Sequence, residues 1–322
     1  MGRYLEVGLA KALGGNARQM GREAAAEAHA QLRQFAPSLA IVFVSAELDF
    51  EEVKGGVCEI LHDCPTIGTS TAGEICNGPV INGVVVALLA SRHLRVRVGM
   101  GSHVSADFRN ALRQALGQAG VLDYFDSGHP FHHMMSISAP GIPGVSSALM
   151  IVFSPGATKR QPSLSHDIHT YLRRYSANRI PIFGGSSGDY LRFESNRQMA
   201  NGVVSDDSIA LAFIESEVLF GLGLAHGFSP TRKGALITRA SGHIVYELDG
   251  RPAAEVLAEI LGIPLEELSK DATWFSRFPF GSTDVYGNSI LQVPERSWIE
   301  QAGLRVHVFV CTAQEADVRY PG

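Results

Sequence analysis

The chain has PTIGTSTAGEI at residues 65–75, and an altered copy of this stretch, PIFGGSSGDY, lies at residues 181–190. In both copies small hydroxylated residues follow a glycine, and a carboxylate comes near the end, Glu74 in the first and Asp189 in the second. Glycine allows positive φ and close approach of other groups to the main chain, and Ser and Thr supply short donors and acceptors. Such a turn, directly after a strand, is where α/β proteins usually present polar groups to a ligand.

The segments around the two copies repeat in the same order, which predicts an internal duplication. In each half a buried strand, a helix and the turn are followed by a strand beyond an Asn-Gly pair. The predicted repeats are about 16–119 and 147–228, separated by a Gly- and Pro-rich linker at 120–146. The matching segments are LAIVFVSA (39–46) with SALMIVFSPG (147–156), DFEEVKGGVCEIL (49–61) with SLSHDIHTYLRRYSA (163–177), Asn77-Gly78 with Asn201-Gly202, and LRVRVGMGSH (94–103) with VLFGLGLAHG (218–227).

The fold class that these patterns predict is α/β: two duplicated halves with mixed sheets, related by a pseudo-twofold axis, and a smaller C-terminal α+β part. The predicted division places the two repeats in residues 1–230 and the α+β part in residues 231–322. The expected local features are a helix at 16–35 capped by Asn16, a helix capped by Asp49, a helix at 110–119, a hairpin around Ser241-Gly242, a turn at Asp249-Gly250, a helix from Pro252 and a late strand at 304–313.

Composition excludes several classes of function. The net charge is −5 and the 322 residues contain no run of Lys and Arg, so nucleic acid is not an expected partner. The four cysteines form no CxxC pair, which is typical of small buried residues in a reducing compartment. The N-terminus lacks the pattern of a signal peptide, and the longest apolar runs fall far short of the roughly 20 residues of a membrane span. We therefore expect a cytoplasmic protein without a membrane span.

The order of these motifs resembles the FIST sensory domain, named for F-box and intracellular signal transduction proteins and found in bacterial signalling proteins. IVFVSAELDFEEV, PTIGTSTAGEI, IPIFGGSSGDY with the following ANGVV, and GLAHGFSP resemble its N-terminal part over roughly residues 35–230. TRASGHIVYELDGRPAAEVL and RFPFG resemble its C-terminal part. The chain departs from the family pattern in its short C-terminal part, from which we expect a truncation after Gly322.

The resemblance implies a non-enzymatic sensory module. Such a module would bind a small ligand, with amino acids as candidates, and pass the signal to an output partner of the kinase, methyl-accepting or cyclic-dinucleotide type. Some members of the family are haem proteins that sense nitric oxide, so a haem-based sensor is the alternative within the family. No output domain is recognisable in this sequence.

The two turns offer the groups that an amino acid requires. Main-chain N–H groups and hydroxyls would bind its carboxylate, while Glu74 or Asp189 would pair with its ammonium group. Capping of a turn, or a salt bridge at the rim, is an equal alternative for these two carboxylates. His226, at the end of a strand, is a further candidate as ligand contact or haem axial ligand, and Arg277 in an aromatic segment is a candidate pocket wall. The hydroxyl candidates are Thr69, Ser70, Thr71, Ser186 and Ser187.

An alternative from a different class is a serine esterase-like hydrolase. GGSSG at 184–188 has the G-x-S-x-G pattern of a nucleophile elbow centred on Ser186. A downstream acid and histidine would complete it, with Asp206 or Asp207 and His226 or His243 as candidates. The first turn lacks this pattern, and Gly- and Ser-rich turns match it by chance. We therefore expect no enzymatic activity.

The segment DSGHPFHH contains four residues of metal-ligating type: Asp126, His129, His132 and His133. Its proline and neighbouring glycines favour a solvated loop over a metal site. The sequence has no CxxCH motif, so any haem would bind without covalent attachment. We predict neither a metal nor an obligatory cofactor.

Overall fold

The computed structural model describes residues 4–122, 145–159, 163–176, 180–190, 192–221, 228–241, 244–270, 278–283, 289–292 and 307–313. The chain divides into two compact units, residues 1–223 and 224–322. The predicted division at residue 230 lies a few residues further along the chain.

The first unit alternates strands and helices. Its elements are β1 (Glu6–Leu13), α1 (Ala17–Ala30), β2 (Pro37–Ser45), α2 (Phe50–Leu61), β3 (Thr66–Thr71), β4 (Glu74–Ile75), β5 (Pro79–Val80), β6 (Gly83–Ala90), β7 (Leu94–Ser102), α3 (Val104–Gln118), β8 (Val145–Ser154), α4 (Ser165–Tyr175), β9 (Ile182–Ser186), β10 (Arg197–Ala200), β11 (Val203–Asp206) and β12 (Ser208–Gly221).

Local signals set the helix starts. Asn16 accepts the N–H of Gln19 through its side chain, and Asp49 accepts those of Glu51 and Glu52, so both predicted caps are confirmed. The predicted helix at 110–119 begins earlier, at Val104, and is broken at Asp107. The Asp107 carboxylate accepts the N–H groups of the two residues at 109 and 110, so it caps the longer part of α3.

Two groups of four strands have the same order and the same directions. In the order β1-β6-β2-β3 and in the order β7-β12-β8-β9, the first two neighbouring pairs are antiparallel and the last pair is parallel. Sequence similarity placed β7 and α3 in the first repeat, whereas the hydrogen bonds place β7 beside β12, in the second group. Residues 218–221 do not begin a new strand, because β12 continues to Gly221. The duplication itself stays a prediction.

The hairpins that follow the two turns pair differently. β10 and β11 extend the first sheet, since β10 pairs with β3. β4 and β5 form a small two-stranded sheet of their own. As a result β3 lies between two strands, whereas β9 is the edge strand of the second sheet.

The first unit is built of four layers. Helices α1 and α2 pack on one face of the first sheet, in a cluster with Met20, Val42 and Phe50. Helices α3 and α4 pack on one face of the second sheet, around Met150 and Phe213. A third cluster joins the opposite faces of the two sheets. This arrangement confirms the predicted α/β class with mixed sheets.

Glycines allow α1 and α2 to pack closely. A Cβ at Gly21 would lie 2.2 Å from the carbonyl oxygen of Val53, and one at Gly56 would lie 1.9 Å from that of Arg18. Both distances are far below contact, so no larger residue fits at this crossing. The close packing holds both helices against the same face of the first sheet.

The second unit is an antiparallel sheet with two short helices. Its sheet has the order β15-β14-β13-β18-β16-β17. The predicted turn and helix are present, and the two strands of the predicted hairpin pair with each other. The late strand is described over His307–Ala313, whereas residues 242–243 of the hairpin and 304–306 of the strand lie outside the described ranges. The elements are β13 (Phe228–Ser241), β14 (Ile244–Leu248), β15 (Arg251–Pro252), α5 (Ala253–Leu261), α6 (Leu265–Lys270), β16 (Phe280–Thr283), β17 (Ser289–Gln292) and β18 (His307–Ala313).

Candidate functional site

The two Gly- and Ser-rich turns touch each other. The N–H of Gly188 donates to the carbonyl oxygen of Ser70 at 3.0 Å, and the hydroxyls of Thr69 and Ser187 are 2.8 Å apart. A Cβ at Gly188 would lie 3.1 Å from the N atom of Ala72, so the contact favours glycine there. The two turns therefore form one junction between the sheets.

A buried glutamine that the sequence did not single out completes this junction. Gln198 has no exposed surface, and its Nε2 donates to Ser187 Oγ. Its Oε1 accepts the N–H of Ser208 at 3.1 Å and the hydroxyl of the same residue at 2.9 Å. Thr69 and Ser187 are only 4% and 5% exposed, and their hydroxyls belong to this hydrogen-bond network. Their hydrogen bond joins the end of β3 in the first sheet to the residue after β9 in the second.

Glu74 closes the first turn from inside. It is 7% exposed and accepts hydrogen bonds from Ser45 Oγ, at 3.0 and 3.1 Å, and from Thr71 Oγ1. Burial raises the pKa of the Glu74 carboxyl, while the bonds from Thr71 and Ser45 oppose that rise. Ser45 Oγ also accepts the N–H of Gly83, which ties the turn to β6.

Asp189 binds the main chain of the segment that follows the second turn. Its carboxylate accepts the N–H groups of Phe193, Glu194 and Ser195 at 3.1, 2.7 and 3.2 Å. Negative charge among converging N–H groups is favourable, so Asp189 fixes the path of residues 193–196. This segment leads directly into β10.

Ser186 lies at the exposed end of β9. Its hydroxyl bonds to that of Ser165, which is also within 2.9 Å of Ser154 Oγ and 2.7 Å of Ser163 Oγ. The partner of Ser186 is thus another hydroxyl, and Asp207 instead accepts from Ser105. No histidine bonded to Ser186 appears in the part of the chain that the structure describes, so the hydrolase alternative gains no support from its geometry.

Two cavities lie outside the carboxyl ends of the parallel strand pairs. The first has a volume of about 610 Å³ and lies beyond β8, next to the start of α4. The second has a volume of about 270 Å³ and lies beyond β2. Of the predicted ligand-binding residues that the structure describes, only Ser70 lines one of them, the second. Ser195 lines both cavities, so the segment that Asp189 holds separates them.

Charged residues line the first cavity: Lys159 and Glu194, which the sequence reasoning missed, and Asp206 and Asp207, which it named only as candidate acids of the hydrolase alternative. Lys159 forms an ion pair with Glu194 at 2.6 Å. Asp206 and Asp207 also line the cavity, and Ser105 donates to Asp207 through its N–H at 2.9 Å and its hydroxyl at 2.6 Å. The Asn-Gly pair at 201–202 was the available signal, because a hairpin there brings the residues before it close to Asp206.

Several predicted residues lie outside the described ranges. These are His226, Arg277, His243 and the four candidates of the DSGHPFHH segment, Asp126, His129, His132 and His133. Among the described residues, no group of three or more His, Cys, Asp or Glu is placed to hold a metal ion. Among the same residues, no helix is both long and apolar enough to cross a membrane.

A family model described as the FIST N domain matches residues 38–251. The chain is also 33% identical over 128 residues to an uncharacterised protein, MJ1623, of Methanocaldococcus jannaschii. That similarity covers 36% of this chain and 25% of the relative, so the match spans only about a quarter of the relative's length. A cyanuric acid hydrolase from A. caulinodans, a solved structure, aligns with 67% of this chain and 72% of its own at 10% identity and a TM-score of 0.30, and this likeness supports no conclusion about fold or function.

Proposed function

The chain belongs to the FIST N domain family, a family of sensory domains in signal transduction, and on this premise we propose that its first cavity binds a small zwitterionic ligand such as an amino acid. Binding, rather than catalysis, would be the event that an output partner detects. The observation that carries the proposal is a cavity with a cationic side chain and an acidic pair in its lining.

The size and position of the cavity support this use. A volume of about 610 Å³ falls within the range of about 300–1,000 Å³ that is usual for small-molecule sites. In α/β proteins ligands generally bind in the crevice outside the carboxyl ends of parallel strands, which is where this cavity lies relative to β8 and β9.

The charges fit a ligand with both an ammonium and a carboxylate. Asp206 is exposed, and the hydrogen bond from Ser105 positions the Asp207 carboxylate. Because both residues line the cavity, an ammonium group could pair with either carboxylate. Lys159 is paired with Glu194, but both side chains are more than half exposed. Such pairs contribute little, so Lys159 can exchange this partner for the carboxylate of a ligand.

The wall of the cavity suggests how occupancy would be relayed. Ser195 and Asn196 belong both to the lining and to the segment that Asp189 fixes. A ligand that contacts them would favour one arrangement of this segment and of β10, to which it leads. The partner that detects this arrangement would be a kinase, a methyl-accepting protein or a cyclic-dinucleotide enzyme, as in other sensory modules of the family.

A thermal-shift screen with the free amino acids tests the proposal. A ligand present at 100 times its Kd should raise the Tm by about 5–10 °C. The same amino acid should lose its effect when its amino group is acetylated. Asp206→Asn should weaken binding at least tenfold, because one carboxylate that faces the ammonium is neutralised.

The matched control is Asp63→Asn, which removes an exposed aspartate that lines neither cavity. It should bind like the unaltered protein. If no amino acid raises the Tm, or if Asp206→Asn and the control bind equally well, the proposal is wrong.

A further inference from the structure

The second cavity is a compartment separate from the first. One side is formed by residues 44–50, the end of β2 and the start of α2, none of which lines the first cavity. The other side contains Ser70, Ser195 and Arg197. Ser195 is the one residue common to both linings, and the two volumes therefore meet only at this wall.

Arg197 brings an unpaired positive charge to this cavity. It is exposed, and no ion pair or side-chain hydrogen bond engages its guanidinium within the described ranges. Asp206 is its cross-strand partner in β11, yet the two side chains do not come within ion-pair distance. A guanidinium has five N–H donors and no acceptor, so it suits an oxyanion.

Ser70 adds a buried donor beside it. The residue is only 5% exposed and lines the cavity, and its Oγ accepts the main-chain N–H of Arg197 at 3.0 Å. The hydroxyl proton itself has no acceptor among the residues that the structure describes. A buried donor left without an acceptor is costly, which favours a ligand that supplies one.

The acidic side chains of the same cavity are already engaged. Glu47 forms an ion pair with Arg192. Asp49 accepts the N–H groups of Glu51 and Glu52 at 2.9 and 3.3 Å, as the cap of α2. The hydroxyl of Ser45, which also lines the cavity, donates to Glu74.

We propose that the second cavity binds a small oxyanion, a carboxylate or a phosphate, through the Arg197 guanidinium and the Ser70 hydroxyl. This site is independent of the amino acid site proposed for the first cavity. Its two donors come from β10 and from the end of β3, so a bound oxyanion would link the second hairpin to the first turn.

The test is an NMR titration of the full chain that follows the arginine Nε–Hε signals at constant ionic strength. Inorganic phosphate and acetate serve as separate probes. We expect a saturable shift of the Arg197 signal with at least one of them. Saturation by phosphate alone identifies a phosphate site, and saturation by acetate alone identifies a carboxylate site.

Two variants and a control assign the shift. Arg197→Gln should abolish saturable binding, followed through main-chain amides of residues 44–50, and Ser70→Ala should weaken it about tenfold, as expected for a lost hydrogen bond to a charged group. Arg113→Gln, which removes an exposed arginine on α3, should leave binding unchanged.

A comparison of far-UV spectra and Tm values establishes that each variant is folded. If Ser70→Ala does not fold, Arg197→Lys provides the second measurement, since it retains the charge without the planar fork and should bind more weakly than the parent. The proposal is overturned if neither probe gives a saturable shift, or if Arg197→Gln binds as tightly as the control.

Discussion

The two turns have similar sequences but different surroundings. The first lies at the end of β3, whose residues are buried except for its last, because β2 and β10 flank it on both sides. The second lies at the end of β9, an edge strand whose last four residues are exposed. The two turns therefore meet in one buried junction, although the strand before the first turn is buried and the strand before the second is exposed.

The carboxylates of the two turns differ accordingly. Glu74 bonds backward, to Ser45 and Thr71 of its own strand pair. Asp189 bonds forward, to the N–H groups of residues 193–195, and so builds the wall between the two cavities. Glu74 and Asp189 therefore bind different parts of the chain, although they lie at similar positions in the two turns. The reason is that β10, in the hairpin after the second turn, pairs with β3, the strand before the first turn.

The largest expected effect comes from the junction that both turns share. Gln198→Ala should lower the free energy of unfolding by about 2–3 kcal/mol, because it removes the buried acceptor of the Ser208 N–H and hydroxyl and the buried donor to Ser187 Oγ. Urea unfolding followed by fluorescence measures this loss. Gln34→Ala, which removes an exposed side chain, should change the value by less than about 0.5 kcal/mol. Equal values for the two variants would show that the junction does not hold the turns together.

A smaller and more local effect is expected at the second turn. Asp189→Ala should lower the free energy of unfolding by about 1–2 kcal/mol, since the N–H groups of three exposed residues lose their acceptor but can bond to water. Hydrogen exchange of the amides of residues 193–195 should accelerate, whereas that of the first turn should not. Asp189→Asn retains an acceptor oxygen and should fall between the variant and the parent. Acceleration in both turns alike would contradict the division of tasks.

The sequence predicted the local features well because their causes are local. Asn16 and Asp49 cap helices through N–H groups within three residues, and the Asp249-Gly250 turn needs only two residues with positive φ. The α/β class followed from the apolar strands of length 5–10 and the helices between them. Such signals are contained in short windows of sequence.

Pairing between distant segments was not predictable in this way. Gln198 is a single polar residue in a short strand, and its burial depends on β10 pairing with β3 across more than 120 residues. The pairing of β7 with β12 was missed for the same reason, because similarity between glycine-rich strands does not specify a partner. The cavity residues Lys159 and Arg197 became visible only when these pairings were known.

The smallest expected effect is the dependence of stability on pH that the buried Glu74 carboxyl causes. Burial raises the pKa of Glu74 in the folded protein above its unfolded value. The folded protein therefore keeps this proton at pH values where the unfolded chain has lost it, and Glu74 reduces stability as the pH rises through that interval. Glu74→Gln removes this titration, so its free energy of unfolding relative to that of the parent should be higher at pH 7 than at pH 4, as measured by urea unfolding at both pH values.

The control is Glu27→Gln, an exposed change on α1. Its free energy of unfolding relative to that of the parent should be the same at both pH values. A constant difference for Glu74→Gln as well would mean that the hydrogen bonds from Ser45 and Thr71 cancel the cost of burial.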